Sequence, residues 1–249
     1  MPLWLEAGLW GLLAGGSLVL GAAIAWTVRV PPRVVAVVMA FGAGVLISAL
    51  SFDLVDEAES VGGLWPTAAG FVGGATVYVA ANALLARRGA QHRKRSGDQQ
   101  PSEEEQAGSG TAIAIGALLD GVPESVVLGL SLLGGGGVGV PVLAAIAVSN
   151  LPEGLSSSAG MKANGRTARY VFGVWIGIAV LSGVAGMLGV LVLDGAPPEA
   201  IAVITAIAAG AILAMVADTM IPEAFEKAHL STGLIATLGF ITAFAIGRA

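Results

Sequence analysis

The chain has 249 residues, 12% of them charged and 55% hydrophobic, and a mean hydropathy of +0.84. A soluble domain carries about 25% charged residues, so the composition excludes an ordinary soluble fold and describes an all-α, polytopic membrane protein whose first partner is the lipid bilayer. The formal net charge is -5, cysteine is absent, and the two histidines, His92 and His229, lie outside the apolar runs; a disulfide frame, a thiolate metal site and an imidazole-rich intramembrane site are thereby excluded.

A bilayer crossing takes about 20 mostly apolar residues. Eight runs qualify: 3–27, 34–54, 64–86, 111–133, 139–160, 170–193, 199–221 and 230–247. The first lacks a basic leader and has the length of a full span, so it reads as a retained helix and not a signal peptide. Residues 87–110 are polar and are expected to form a flexible loop, with Arg87, Arg88, Arg93, Lys94 and Arg95 ahead of Glu103, Glu104 and Glu105. Gly134 to Gly137 read as a tight connection between the fourth and fifth spans.

Basic residues gather on one side. Arg29 and Arg33 follow the first span, the 87–95 cluster follows the third, Lys162, Arg166 and Arg169 follow the fifth, and Lys227 follows the seventh. By the positive-inside rule that side is cytoplasmic. Eight spans then put both termini outside, the loop 87–110 in the cytoplasm, and the protein in the cell (inner) membrane as a multi-pass chain.

Two internal correspondences stand out. Gly44 to Ala58 matches Gly210 to Ala224, each running from glycine through an apolar stretch and an acid to Glu-Ala. The fourth and fifth spans each carry a Pro-Glu pair, Pro123-Glu124 and Pro152-Glu153. Under the orientation above, the matched spans run in opposite directions. The expected architecture is a 3+2+3 inverted repeat, helices 1–3 against 6–8, with helices 4 and 5 between them in one transmembrane domain.

The Pro-Glu stretches carry the chemistry. Asp120 and Glu124 share one helix face, as do Asn150 and Glu153. Each proline removes a backbone donor and is expected to break its helix, freeing the carbonyls of Leu119 and Val148. Ser149 adds a hydroxyl. No Lys or Arg falls within any span, so these acids are expected to lack a built-in cationic partner. A carboxylate at membrane depth then binds a proton or a positive ion. An all-oxygen cluster of Asp120, Glu124, Asn150, Glu153 and Ser149 suits hard or borderline divalent cations. Further acids form a path: Asp53, Asp56 and Glu57 at the outer end of the second span, and Asp218 and Glu223 at the inner end of the seventh.

With these features the chain resembles the ZIP (Zrt/Irt-like) family of metal transporters over its whole length. The family pattern on the fourth helix is His-Asn-x-Pro-Glu-Gly. Here Pro123 and Glu124 match, while Asp120, Gly121 and Ser125 replace the His, Asn and Gly. On the fifth helix Asn150, Pro152, Glu153 and Gly154 match, and Ser149 stands where the pattern often has His or Gln. The resemblance implies import of a divalent metal as substrate, zinc, manganese or iron, held between the fourth and fifth helices. The sixth span has no acid before Asp194, so one oxygen-rich site is expected and not a two-metal centre. The expected partners are the bilayer, the metal ion and a second copy of the chain in a homodimer, with no nucleic acid. No enzyme is expected, because His-Glu-x-x-His is absent. The alternatives are a ZIP-like metal sensor without transport and an intramembrane acid protease using Asp53, Asp120 or Asp218.

Overall fold

The computed structural model describes residues 1–94, 100–102, 104–133 and 139–248, and these are almost wholly helical with no strand among them. The long helices are α1 (Leu3–Thr27), α2 (Pro32–Ala49), α4 (Leu64–Leu85), α5 (Ser109–Ser131), α6 (Val140–Ala163), α7 (Ala168–Leu193), α8 (Pro198–Met215) and α10 (Thr232–Arg248). Short helices α3 (Asp56–Gly62) and α9 (Ile221–Ala228) extend α2 and α8. Prolines at the first helical positions of α2 and α8 start those helices with a preset φ and no lost donor. Among the described residues, six continuous helical segments are long and apolar enough to cross a membrane: Leu3–Thr27, Pro32–Gly62, Leu64–Ala90, Ser109–Ser131, Ala168–Leu193 and Pro198–Arg248. Only 17% of the α4 window is buried against protein, which leaves Val72, Val77 and Leu84 exposed, as expected of a lipid-facing helix. These are the features of an α-helical, multi-pass membrane protein.

Packing follows two sets of helices. In one, α1 lies along α7 and α6, and α5 packs on α7; in the other, α2 pairs with α10 and α4 with α8. The sets meet where α2 touches α6 and α5 touches α8. A core of Met39, Leu46, Leu128, Ile146, Ile212 and Met215 fills that junction, and a second core around Leu18, Ile113, Met161 and Trp175 holds the first set together.

The sequence match between Gly44–Ala58 and Gly210–Ala224 has a structural counterpart. The helix widens into a π segment at Leu50–Val55 and again at Val216–Met220, starting at the same offset that relates Gly44 to Gly210. A Cβ on Gly44 would run into the carbonyl of Ala236 in α10, and one on Gly210 into that of Phe71 in α4. The contacts recur in reverse: Gly239 meets the carbonyl of Phe41, and Gly74 that of Ile207. Small residues let membrane helices approach to backbone contact where no hydrophobic force drives them together. Gly44→Ala and Gly210→Ala are each expected to destabilise the protein by at least about 1–3 kcal/mol through overpacking. Thermal unfolding in detergent measures this, with Gly16→Ala, where a Cβ meets nothing within 4 Å, as the silent control.

Two expectations are corrected here. The Pro-Glu helices are not discontinuous: α5 runs through Pro123 and α6 through Pro152. One missing donor per helix is absorbed without ending it. The 87–110 segment is also not simply a solvated tether. Residues Ala86–Ala90 continue α4 as a π turn. Ser102 and Glu105 then cap each other reciprocally, the Ser102 amide donating to Glu105 Oε2 at 2.8 Å and the Glu105 amide to Ser102 Oγ at 3.2 Å. Arg95 and Glu103 lie outside the described residues, as does the Gly134–Gly137 connection.

Candidate functional site

Helix α5 places Asp120 and Glu124 one turn apart, and α6 brings Glu153 to face them. The three carboxylates are 1%, 2% and 3% exposed. Three acids buried together must either take up protons or find positive charge. The loop supplies it, against the expectation that these acids lack a protein cation. Arg93 and Lys94, only 2% and 4% exposed, fold back from the end of α4 into the acidic cluster.

Arg93 forms a bidentate pair with Asp120, Nε donating to Oδ2 at 2.9 Å and Nη2 to Oδ1 at 2.8 Å. Its remaining donors reach Asn82 Oδ1 at 2.7 Å and the Tyr78 hydroxyl at 3.0 Å, and Tyr78 itself donates to Asp120 Oδ1 at 2.6 Å. Tyr78 and Asn82 sit one turn apart on α4. Arg93 thus ties α4 to α5, across the boundary between the two helix sets. Gly116, one turn before Asp120, makes room for it: a Cβ there would stand 2.6 Å from Arg93 Cδ.

Lys94 lies between two acids. Its ammonium donates to Glu153 Oε2 at 2.8 Å and stands 3.4 Å from Asp120 Oδ2. Burial works against the charged ammonium, but Asp120 and then Glu153 outweigh it, so its pKa stands above the ordinary lysine value and it is charged at neutral pH. The main chain of this turn is fixed as well. Gln100 Nε2 donates to the carbonyls of Arg93 at 3.0 Å and Ser157 at 3.1 Å, and the Ser156 hydroxyl donates to the carbonyl of Lys94.

Glu124 is the exception. It lies within electrostatic range of Glu153, Lys94 and Asp120, yet its Oε1 is buried with no hydrogen-bond partner among the described residues. Three carboxylates face two basic side chains, and Glu124 is the one that neither touches.

The other expected site residues are placed differently. Asn150 turns its amide to the carbonyl of Ala14 on α1 at 3.0 Å, and Ser149 donates to the carbonyl of Ile146 at 2.9 Å. Asn150 is thus spent on packing α6 against α1, and Ser149 on the backbone of its own helix. Asp53 is half-buried, and Asp56, Glu57 and Asp218 are exposed. Glu223 is buried, 3.3 Å from the Ser156 hydroxyl, so it joins the site's inner edge. Among the described residues, no group of three or more His, Cys, Asp or Glu side chains stands close enough to hold a metal ion. The two basic side chains lie among the acids and hold them apart. Sequence reasoning missed Tyr78, Asn82, Arg93, Lys94, Gln100 and Ser156. For the first two a signal existed: polar residues at i and i+4 within an apolar span.

The arrangement defines a class: a multi-pass helical protein with a buried, cation-neutralised carboxylate cluster at a helix-set junction. No protein-family model and no curated protein matches the chain.

Proposed function

We propose that the protein is a ZIP-like transporter that moves a divalent metal cation (zinc, manganese or iron) into the cytoplasm through the cluster of Asp120, Glu124 and Glu153. The observation that carries this reading is the Lys94 ammonium bridging Asp120 and Glu153. The buried acids already hold a positive charge in the space between α5 and α6, and a metal ion makes the same demand on them. Ionisable groups within a membrane mark ion paths, and the junction of two helix sets is where an alternating-access carrier keeps its site.

The topology proposed with this reading has eight crossings, beyond the six long apolar segments. The 51-residue segment Pro198–Arg248 is interrupted at His229, whose φ of 49° breaks the helix, giving two crossings. Helix α6 adds another, less apolar one. The π segments and the reciprocal glycine contacts support the 3+2+3 inverted repeat. The basic loops orient it, with both termini outside. Asp53, Asp56 and Glu57 then form the outer approach, and Asp218 and Glu223 the inner exit. Asn150 positions α6 against α1, and Ser149 bonds within α6.

The test is flux. Purified protein in proteoliposomes is expected to accumulate Mn, Zn or Fe in a saturable way, and the same ions are expected to raise its melting temperature by mass action. A ZIP-like sensor is the second reading, favoured by the filling of the acid cluster by Arg93 and Lys94. A sensor shows metal-dependent stabilisation with no accumulation, and that result overturns the transport reading.

A further inference from the structure

Lys94 and Arg93 both neutralise the cluster, but the structure holds them very differently. Arg93 spends four hydrogen bonds on Asp120, Asn82 and Tyr78; its planar fork fits that cradle. Lys94 presents a compact point charge, touching one oxygen of each of two carboxylates. Its geometry is that of a bound monovalent cation, delivered on a tether. Its main chain is pinned by Ser156, and that of its neighbour Arg93 by Gln100, so the ammonium is kept at high effective concentration at the site.

We propose that Lys94 is a built-in competitor for the transported ion and sets the site's preference for divalent over monovalent cations; this rests on the transport reading above. With Arg93 and Lys94 both in place, three carboxylates face two positive charges. Replacing Lys94 with a monovalent ion leaves that balance unchanged and costs the lysine its two partners. Replacing it with a divalent ion, Arg93 remaining on Asp120, brings three positive charges to three acids, enough for all three to be ionised together, Glu124 included. At low dielectric the added charge strengthens the attraction of the ion to the acids. A potassium or sodium ion has no such advantage over the ammonium already there. Displacement of Lys94 also strains the turn pinned by Gln100, so ion binding and loop release are linked.

Two measurements on the full-length chain test this. In Lys94→Gln the apparent Kd for Mn(II), read from thermal stabilisation, is expected to fall about tenfold or more as the tethered competitor is removed. Potassium at 100-fold excess over Mn(II), itself silent towards wild type, is expected to compete in the variant, and Lys94→Arg is expected to restore discrimination. The second measurement leaves the charges intact. Because the chain has no cysteine, Ser157→Cys, beneath Gln100, supplies a single thiol at a position only 2% exposed and leaves both Gln100 bonds in place. Mn(II) is expected to accelerate its reaction with a maleimide several-fold, and potassium to leave it unchanged. The proposal is overturned if Mn(II) stabilises the protein while the labelling rate does not move, or if Lys94→Gln folds with wild-type Kd and discrimination. Absence of any stabilisation or uptake by Mn, Zn and Fe in wild type instead overturns the transport reading, and this proposal with it.

Discussion

Glu124→Gln is expected to abolish cation uptake while leaving the fold at least as stable as the wild type. The two effects separate because of how Glu124 is held. Among the described residues Glu124 Oε1 has no hydrogen-bond partner and no basic side chain pairs with it, so replacing the carboxyl with an isosteric amide breaks no ion pair. Removing an uncompensated buried acid is neutral or stabilising. Substrate, by contrast, loses a charged ligand worth roughly 3 kcal/mol, a rate decrease of about 100-fold. Proteoliposome uptake and thermal unfolding in detergent read the two effects independently. Glu153→Gln is the contrasting variant: it strips Lys94 of its closest partner, so both uptake and stability are expected to fall. Should Glu124→Gln transport at the wild-type rate, this carboxylate is not part of the ion path.

The apolar spans, the acids of the fourth and fifth spans and the repeat between Gly44–Ala58 and Gly210–Ala224 were legible because each is written in local sequence. Run length decides a span, and i, i+4 spacing decides that Asp120 and Glu124 share a face. The repeat survives as matched π segments that follow the same glycine, apolar and acidic order. What sequence hid depends on rotation and docking. Asn150 is three residues from Glu153 and shares its broad face, but α6 is turned so that the amide meets α1, a rotation set by packing against Leu18 and Gly21 that spacing does not encode. Pro123 and Pro152 were expected to interrupt their helices, yet neighbouring helices hold both straight enough to continue. Arg93 and Lys94 were hidden by a double meaning: basic residues beyond a span report orientation, and nothing local shows that two of them return to the membrane domain.

Asp120→Ala is expected to release the 87–110 segment from the membrane domain. Left without Asp120, the buried Arg93 guanidinium keeps Asn82, Tyr78 and the carbonyl of Ala90, none of them charged, and Lys94 keeps Glu153. Breaking a buried pair from one side costs roughly 3–5 kcal/mol. Unlike a helix residue, though, Arg93 has an escape: the turn can leave the site and hydrate its charges. The cost therefore appears as local opening and not as global unfolding. A shift of about 3 kcal/mol in that opening equilibrium raises its population about 100-fold. Trypsin reads it directly, since cleavage after Arg93 or Lys94 requires both to leave the site, whereas Arg87 and Arg88 are exposed already and serve as the internal reference. Cleavage at Lys94 is expected to rise about 100-fold in Asp120→Ala while cutting at Arg88 stays constant, the melting temperature changing little. Arg93→Ala is expected to open the segment less, because Asp120 retains Lys94 and the Tyr78 hydroxyl. The double variant Arg93→Ala/Asp120→Ala is expected to match Asp120→Ala or fall below it, a coupling of about 1–3 kcal/mol. Simple additivity of the two single effects would show that Arg93 and Asp120 do not act as a pair, and the tie between α4 and α5 would have to lie elsewhere.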